Sequence, residues 1–319
     1  MGDITAGIQL SGGVDSSLVA LFAQKFSNRN LHTFSIGLKD KAWNEFAYSD
    51  HISRQLNTKH HKITFSKKDF VRLLPKIIYH LDEPLVHPNT IPMYILAKKA
   101  RKYTKVLLTG EGADEIFYGY NRYFQQPFSA KGLIFSNAFN NPRTISEIFK
   151  GKVSVVNRKN ILQNVSNLGH EDKLSFYDIY TYLPHVLLRQ DKAGMAANIE
   201  NRVPFLYTSV VEMGFNLKTK VGKFGGKSEI KEMALKYFSE DLVLRRKCGF
   251  GLPISDWLED KNGLLPYLSN LTSHKIIRKY FVTSSVKQIT KEHLNKEKDN
   301  SSILFTLLCL CVWYDTFID

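Results

Sequence analysis

An apolar run that breaks into a helix through two glycines and three serines constrains this chain more than any other feature. Ala6-Gly7-Ile8-Gln9-Leu10 reads as a buried strand. Ser11-Gly12-Gly13-Val14-Asp15-Ser16-Ser17 is the turn, and Leu18, Val19, Ala20 and Leu21 open a helix. Glycines let backbone N–H groups approach an anion closely. The hydroxyls of Ser11, Ser16 and Ser17 and the positive end of the helix add donors around the same point. An ordinary strand-to-helix turn can also carry Gly-Gly. Polar and glycine positions gathered around one acidic residue favour a phosphate cradle instead. No Gly-Lys-Ser/Thr closes it, so it is not a Walker A loop.

The rhythm that follows is that of a parallel α/β sheet. Ile8–Leu10, Leu31–Gly37, His60–Thr64 and Val106–Thr109 are short apolar strands. Helical patterns alternate with them near Ser16–Phe26, Asn44–Leu56, Lys68–His80 and Thr90–Lys102. This alternation predicts helices on both faces of the sheet and ligands at the carboxyl ends of its strands. From Phe124 to about Asn167 the period dissolves into loops and short helices. Beyond Glu171 the signal is helical, with Tyr177, Tyr180, Leu183, Val186, Leu187 and Met195 spaced as a core-facing stripe. The expected organisation is a nucleotide-binding region over residues 1–123 and a mainly helical region over 124–319, joined in one integrated domain.

Composition narrows the setting. The net charge of +14 gathers at Lys98, Lys99, Arg101, Lys102 and Lys105 and again at Arg245-Arg246-Lys247. It fits a solvated face, or a site for ATP and pyrophosphate, as well as it fits nucleic acid. No zinc knuckle, RNA-recognition motif or evenly basic helix supports nucleic acid, which is therefore not expected as a partner. Cys248, Cys309 and Cys311 are odd in number and suit a reduced, cytoplasmic setting better than a disulfide framework or a zinc site. The start, Met1-Gly2-Asp3-Ile4-Thr5, has no secretory pattern. The apolar stretch Ile303 to Tyr314 is too short for a membrane span and reads as a buried terminal helix.

A second group of glycines and carboxylates follows the fourth strand: Leu108-Thr109-Gly110-Glu111-Gly112-Ala113-Asp114-Glu115. Carboxylates beside a phosphate loop need a cation between them and the triphosphate. Asp15 and Asp114 are the natural Mg²⁺ ligands, since that ion favours carboxylate and phosphate oxygens. The alternative is that Glu111 and Asp114 only cap a short helix.

Ser11 to Ser17 resembles the pyrophosphate-binding loop of the ATP pyrophosphatase (PP-loop) superfamily, whose members split ATP into AMP and pyrophosphate. Leu81-Asp82-Glu83-Pro84, Thr109 to Tyr120, Ile199 to Leu206 and Arg246 to Pro253 are similar, in that order along the chain, to signatures of the asparagine synthetase family. The terminal helix with Trp313 is similar to the end of that family as well. The resemblance implies an adenine nucleotide alpha hydrolase-like fold and an AMP-forming amide ligase: MgATP adenylates a carboxylate, pyrophosphate leaves, and ammonia captures the acyl group. It implies ATP and pyrophosphate contacts at Leu10, Ser11, Gly12, Gly13, Asp15, Ser16 and Ser17, and at Ile36, Thr109, Gly110, Lys227 and Lys247. Leu10, Ile36 and Gly110 match positions that hold the adenosine part. Mg²⁺ is implied at Asp15 and Asp114, and Lys192, Glu200 and Arg202 on the acyl-substrate side. Glu111, Glu200 and Lys247 are the implied catalytic residues, either carboxylate being able to take the proton that the attacking amine sheds.

Three departures qualify what the resemblance implies. Family synthetases carry an N-terminal glutaminase domain with a cysteine after the initiator methionine, whereas residue 2 here is Gly. Ammonia is then expected from solution, from a glutaminase domain or from a glutaminase subunit. Tyr207 stands where the family usually has Asp, with Thr208 or Ser209 as substitute helix caps. Pro88-Asn89-Thr90-Ile91-Pro92 is not the threonine-rich stretch that binds aspartate in the best-defined members. Aspartate remains the leading acyl substrate. The alternatives are sugar acid amidation and macrolactam or β-lactam closure, and, from another class, a catalytically silent nucleotide sensor.

Overall fold

The computed structural model describes residues 6–39, 44–125, 130–245 and 251–319. Its centre is a five-stranded parallel sheet of β1 (Ala6–Gln9), β2 (His32–Leu38), β3 (Lys59–Phe65), β4 (Val106–Leu108) and β5 (Glu200–Arg202). The strand order is β3-β2-β1-β4-β5. β1 pairs with β2 through Ile8↔Thr33 and with β4 through Ala6↔Val106 and Ile8↔Leu108. The chain leaves β1 toward one edge and returns at β4 to build the other, so direction reverses between β1 and β4. The turns that follow these two strands therefore lie side by side, where open α/β sheets collect ligands.

The four strands and four helices expected from the alternating pattern are present. The helices run Val14–Lys25, Phe46–Gln55, Lys67–Leu81 and Thr90–Ala100. β5 is a fifth strand that hydrophobic patterning does not show. Its residues Glu200-Asn201-Arg202 are polar, and they are strand only because β4 offers them an edge to pair with. Weak periodicity between Phe124 and Asn167 matches the short helices Ala130–Ile134, Pro142–Ile148 and Val156–Asn164.

The predicted stripe beyond Glu171 needs correction. Tyr177, Leu183 and Val186 are buried, but Tyr180 and Met195 are more than half exposed. The reason is helical phase within each helix: on His170–Thr181 the buried face centres on Leu174, Ser175 and Asp178, which Tyr180 points away from, and on Leu183–Met195 the residue Met195 falls on the side opposite Val186. The helix Thr208–Phe215 starts after Tyr207 without a side-chain capping bond, so neither neighbouring hydroxyl takes over that role at the N-cap.

Two compact units share the chain, each assembled from three separate segments. The first comprises residues 1–64, 93–136 and 156–250 and contains most of the sheet. Its core joins Ile8, Leu10, Leu18 and Ile52 to Ile116, Phe117 and Phe205. The second comprises residues 65–92, 137–155 and 251–319. There the terminal helix Ser301–Phe317 lies against Lys67–Leu81, burying Leu304, Phe305, Leu308 and Cys309. The Trp313 indole donates to the carbonyl of Asp82 at 3.0 Å. No helix among the described residues is long and apolar enough to cross a membrane.

Candidate active site

The first loop is anchored by its strand. Leu10 is fully buried, its N–H donates to the Phe34 carbonyl at 2.8 Å, and its carbonyl accepts from the Ser35 hydroxyl. The chain then turns through Gly12 at φ +77°, a left-handed conformation natural to glycine. Any side chain there would also collide with Tyr48 and the Ser49 backbone. Gly13 opens the helix Val14–Lys25 with no side-chain cap, so the amides of the first turn stay available to an anion. The serines brace the loop. Ser16 Oγ donates to Gly13 O at 3.1 Å and lies 3.0 Å from Ser11 Oγ. Ser17, fully buried, donates to the same carbonyl at 2.8 Å.

The second loop rests on the first. A Cβ on Gly110 would come to 3.0 Å from Asp15 Cβ and from the Ser16 amide, so a larger residue would press the two loops apart. Thr109 is buried, its N–H held by the Arg202 carbonyl at 3.0 Å, and its hydroxyl has no hydrogen-bond partner among the described residues. Glu111 follows, half-buried, in the turn at the carboxyl end of β4. Gly112, at φ +90°, leads into the short helix Ala113–Ile116 that carries Asp114.

A lysine far along the chain ties the two loops together. It belongs to the turn after a small hairpin, β6 (Val221–Gly222) with β7 (Gly225–Gly226). Lys227 has φ +59°, and its N–H donates to the Phe117 carbonyl at 2.8 Å. Its ammonium lies 2.7 Å from Asp15 Oδ2 and 2.7 Å from Asp114 Oδ1, with the three side chains only 6, 13 and 15% exposed. Gly119 makes this possible: a Cβ there would stand 2.0 Å from Lys227 Cε and 2.2 Å from Asp114 Oδ1. Two carboxylates against one buried ammonium leave a net negative charge. The second oxygen of Asp15, Oδ1, is buried without a hydrogen-bond partner among the described residues. An orphaned carboxylate oxygen beside a second carboxylate fits a hard divalent cation such as Mg²⁺.

Two features here escape sequence reasoning. Arg245 donates to the Gly12 carbonyl at 3.2 Å, pairs with Glu45 at 2.7 Å and lies 4.0 Å over the Tyr48 ring, bracing the first loop from outside. Its only sequence signal is the basic run Arg245-Arg246-Lys247. Behind Asp114 lies a buried polar network. Tyr120 donates to Glu115 Oε1 at 2.7 Å, Arg122 stacks 3.8 Å from the Tyr120 ring, and Arg122 and Tyr123 both reach Asp178. Burial pushes the Glu115 carboxyl up to about 7.

The remaining candidates are spread more widely. Ile36 is half-buried on β2. Lys192 lies on Leu183–Met195, partly exposed. Glu200 and Arg202 are more than half exposed and paired to each other at 2.8 Å. Glu200 is in register with Val106, three residues before Thr109 and roughly 10 Å back along the strand direction. The structure thus brings Asp15, Asp114 and Lys227 together and leaves Glu200 apart from them. Lys247 and Cys248 lie outside the described residues.

The asparagine synthase family model matches residues 1–315. The chain belongs to the asparagine synthase family. Both loops, the Lys227 hairpin and nearly all of the terminal helix fall within the matched span. The chain is 29% identical, over 99% of its length, to asparagine synthetase [glutamine-hydrolyzing] 1 of Bacillus subtilis, of which it covers 57%. It is 28% identical over 68% of its length to the Zea mays asparagine synthetase [glutamine-hydrolyzing], covering 32% of that protein. Over 42% of its length it is 31% identical to asparagine synthetase B [glutamine-hydrolyzing] of Escherichia coli, covering 26%. The chain therefore spans little more than half the length of the Bacillus relative.

Proposed function

We propose that this chain is the synthetase part of an ATP-dependent carbon–nitrogen ligase. It activates a carboxylate by adenylation and transfers the acyl group to ammonia, with aspartate the leading acyl substrate and asparagine the product. The observation that carries this reading is the convergence of Asp15, Asp114 and Lys227 where the β1 and β4 turns meet. Family membership supports the reaction class.

In the proposed reaction a substrate carboxylate oxygen attacks the α-phosphorus of ATP and the bond to pyrophosphate breaks. The amides of the first helical turn and the loop around Ser11 and Gly13 receive the phosphate oxygens. Asp15 and Asp114 would hold Mg²⁺, which when bound neutralises charge developing on the departing oxygens. Lys227 adds a compact ammonium beside the same phosphates. Leu10, Ile36 and Gly110 border the adenosine part, largely through backbone. Ammonia then attacks the acyl carbon of the mixed anhydride, AMP leaves, and a carboxylate takes the surplus proton. Glu111, at the β4 end, suits that step better than Glu200, which pairs with Arg202 on the exposed edge strand. Lys192 and Arg202 remain on the acyl side, and Lys247 on the phosphate side, by resemblance alone. Ammonia arrives free or from a glutaminase domain or subunit.

The test is pyrophosphate release from MgATP with ammonium chloride present and carboxylates supplied one at a time. Aspartate should stimulate release and yield asparagine by mass spectrometry. Stimulation by a sugar acid or a β-amino acid chain instead would move the acyl assignment. No stimulation by any carboxylate would remove the adenylation reading.

A further inference from the structure

We infer that Lys227 and the divalent metal compete for one place between Asp15 and Asp114: the ammonium that bridges the two carboxylates yields that place when the metal enters. This rests on the reading of the two aspartates as metal ligands. Four observations carry it. The ammonium is equidistant from both carboxylates at 2.7 Å, bridging them as a metal would rather than pairing with one. All three side chains are largely withdrawn from water, so the carboxylates need a counter-charge whenever metal is absent. Asp15 Oδ1 is left without a hydrogen-bond partner among the described residues, a coordination site that a monovalent ammonium on Oδ2 does not use. The lysine backbone is fixed by its left-handed turn and by the bond to Phe117, so rotation about the bonds of its four-carbon stem is the route by which the charge can move.

Repulsion gives the direction. A divalent ion entering without displacing the lysine would set two cations against the same oxygens, with Lys231 a further cation close enough to feel both Asp15 and Lys227. The ammonium is then driven from the carboxylates toward the nearest new negative charge, the nucleotide phosphates. Metal loading and delivery of the lysine to the phosphates become one exchange. The alternative is a purely structural tie between the hairpin and the two loops.

Mn²⁺ titration without nucleotide, followed by electron paramagnetic resonance, separates the two. The exchange predicts that Lys227→Met binds Mn²⁺ at least tenfold more tightly than the unmodified protein. In EDTA the variant should melt lower, because like charges face each other, and Mg²⁺ should restore its melting temperature. A structural tie predicts a lower melting temperature that Mg²⁺ does not restore and an unchanged Mn²⁺ affinity, which would overturn the inference. Should Lys227→Met fail to fold, acylation of Lys227 in the unmodified protein, read by mass spectrometry, gives the answer: Mg²⁺ should raise its labelling at least threefold, and equal labelling would overturn the exchange. Failure in either arm alongside carboxylate-dependent pyrophosphate release removes only this inference. Absence of Mn²⁺ binding by both proteins removes it together with the metal-ligand assignment.

Discussion

Gly119→Ala concentrates the test of the site on one methyl group. That methyl would lie 2.0 Å from Lys227 Cε and 2.2 Å from Asp114 Oδ1, whereas ordinary contact begins near 3.4 Å. Lys227 Cε must therefore shift by about 1.4 Å and Asp114 Oδ1 by about 1.2 Å. A shift of that size carries a 2.7 Å ion pair to about 4 Å, the limit of direct pairing. Lys227 cannot retreat as a rigid unit, because its backbone is bound to Phe117 and its side chain is only 6% exposed. Overpacking of this kind costs about 1–3 kcal/mol, a loss that leaves most domains folded. Misplacing a catalytic group by about 1 Å costs on the order of 10²-fold in rate. The variant should therefore show native circular dichroism, a modestly lower urea midpoint and pyrophosphate release reduced about 10²-fold. Full activity at unchanged stability would show that the lysine and Asp114 do not need the arrangement described, and the reasoning built on it would fail.

Three further outcomes are expected. Asp15→Ala should keep its fold and lose at least ~10²-fold in pyrophosphate release, as for loss of a metal ligand; near-normal turnover would remove Asp15 from the mechanism. Glu111→Gln should retain exchange of labelled pyrophosphate into ATP while amide formation falls, and equal loss of both would reassign Glu111 to nucleotide or metal binding. His60, which bonds Thr33 at 2.8 Å, is held by burial at about 4, below its ordinary 6.5. A depressed histidine stabilises the fold above pH 6.5 and loses that contribution as pH falls toward 4. Urea unfolding should therefore show about 2 kcal/mol more loss between pH 7.5 and pH 5 in the unmodified protein than in His60→Gln, and parallel losses in the two would contradict the assignment.

What the sequence announced is what local patterning encodes. Apolar strands ending in glycines marked both loops, because a turn that must approach an anion or another backbone has few alternatives to glycine. Placing those loops side by side needed only the rule about where parallel sheets reverse direction. Lys227 was assigned to the phosphates by motif, but its bond to Asp15 spans 212 residues and has no periodic signature. Burial of Glu115, the last of its carboxylate group, and of Asp178 is not legible in the sequence because carboxylates are surface residues by default. Only the assembled tyrosines and Arg122 make their burial tolerable, and the aromatic density of Tyr118-Gly119-Tyr120-Asn121-Arg122-Tyr123 was the available hint. Tyr180 and Met195 lie on the outer sides of their own helices, because spacing alone marks an apolar residue without saying which side of the helix the core covers.

The distance between Asp15 and its lysine also sets a timetable for biosynthesis. A ribosome adding about 5–20 residues per second needs roughly 10–40 s to travel from one to the other. Throughout that interval the nascent chain exposes a phosphate loop and, later, Asp114 with no ammonium to bridge them. The first unit cannot close before its last segment emerges, since the residues that complete it arrive after two excursions into the second. Such long-range closure slows folding and prolongs the exposure of apolar strands. Production of this protein should therefore respond to translation speed and to chaperone supply more strongly than its modest length suggests.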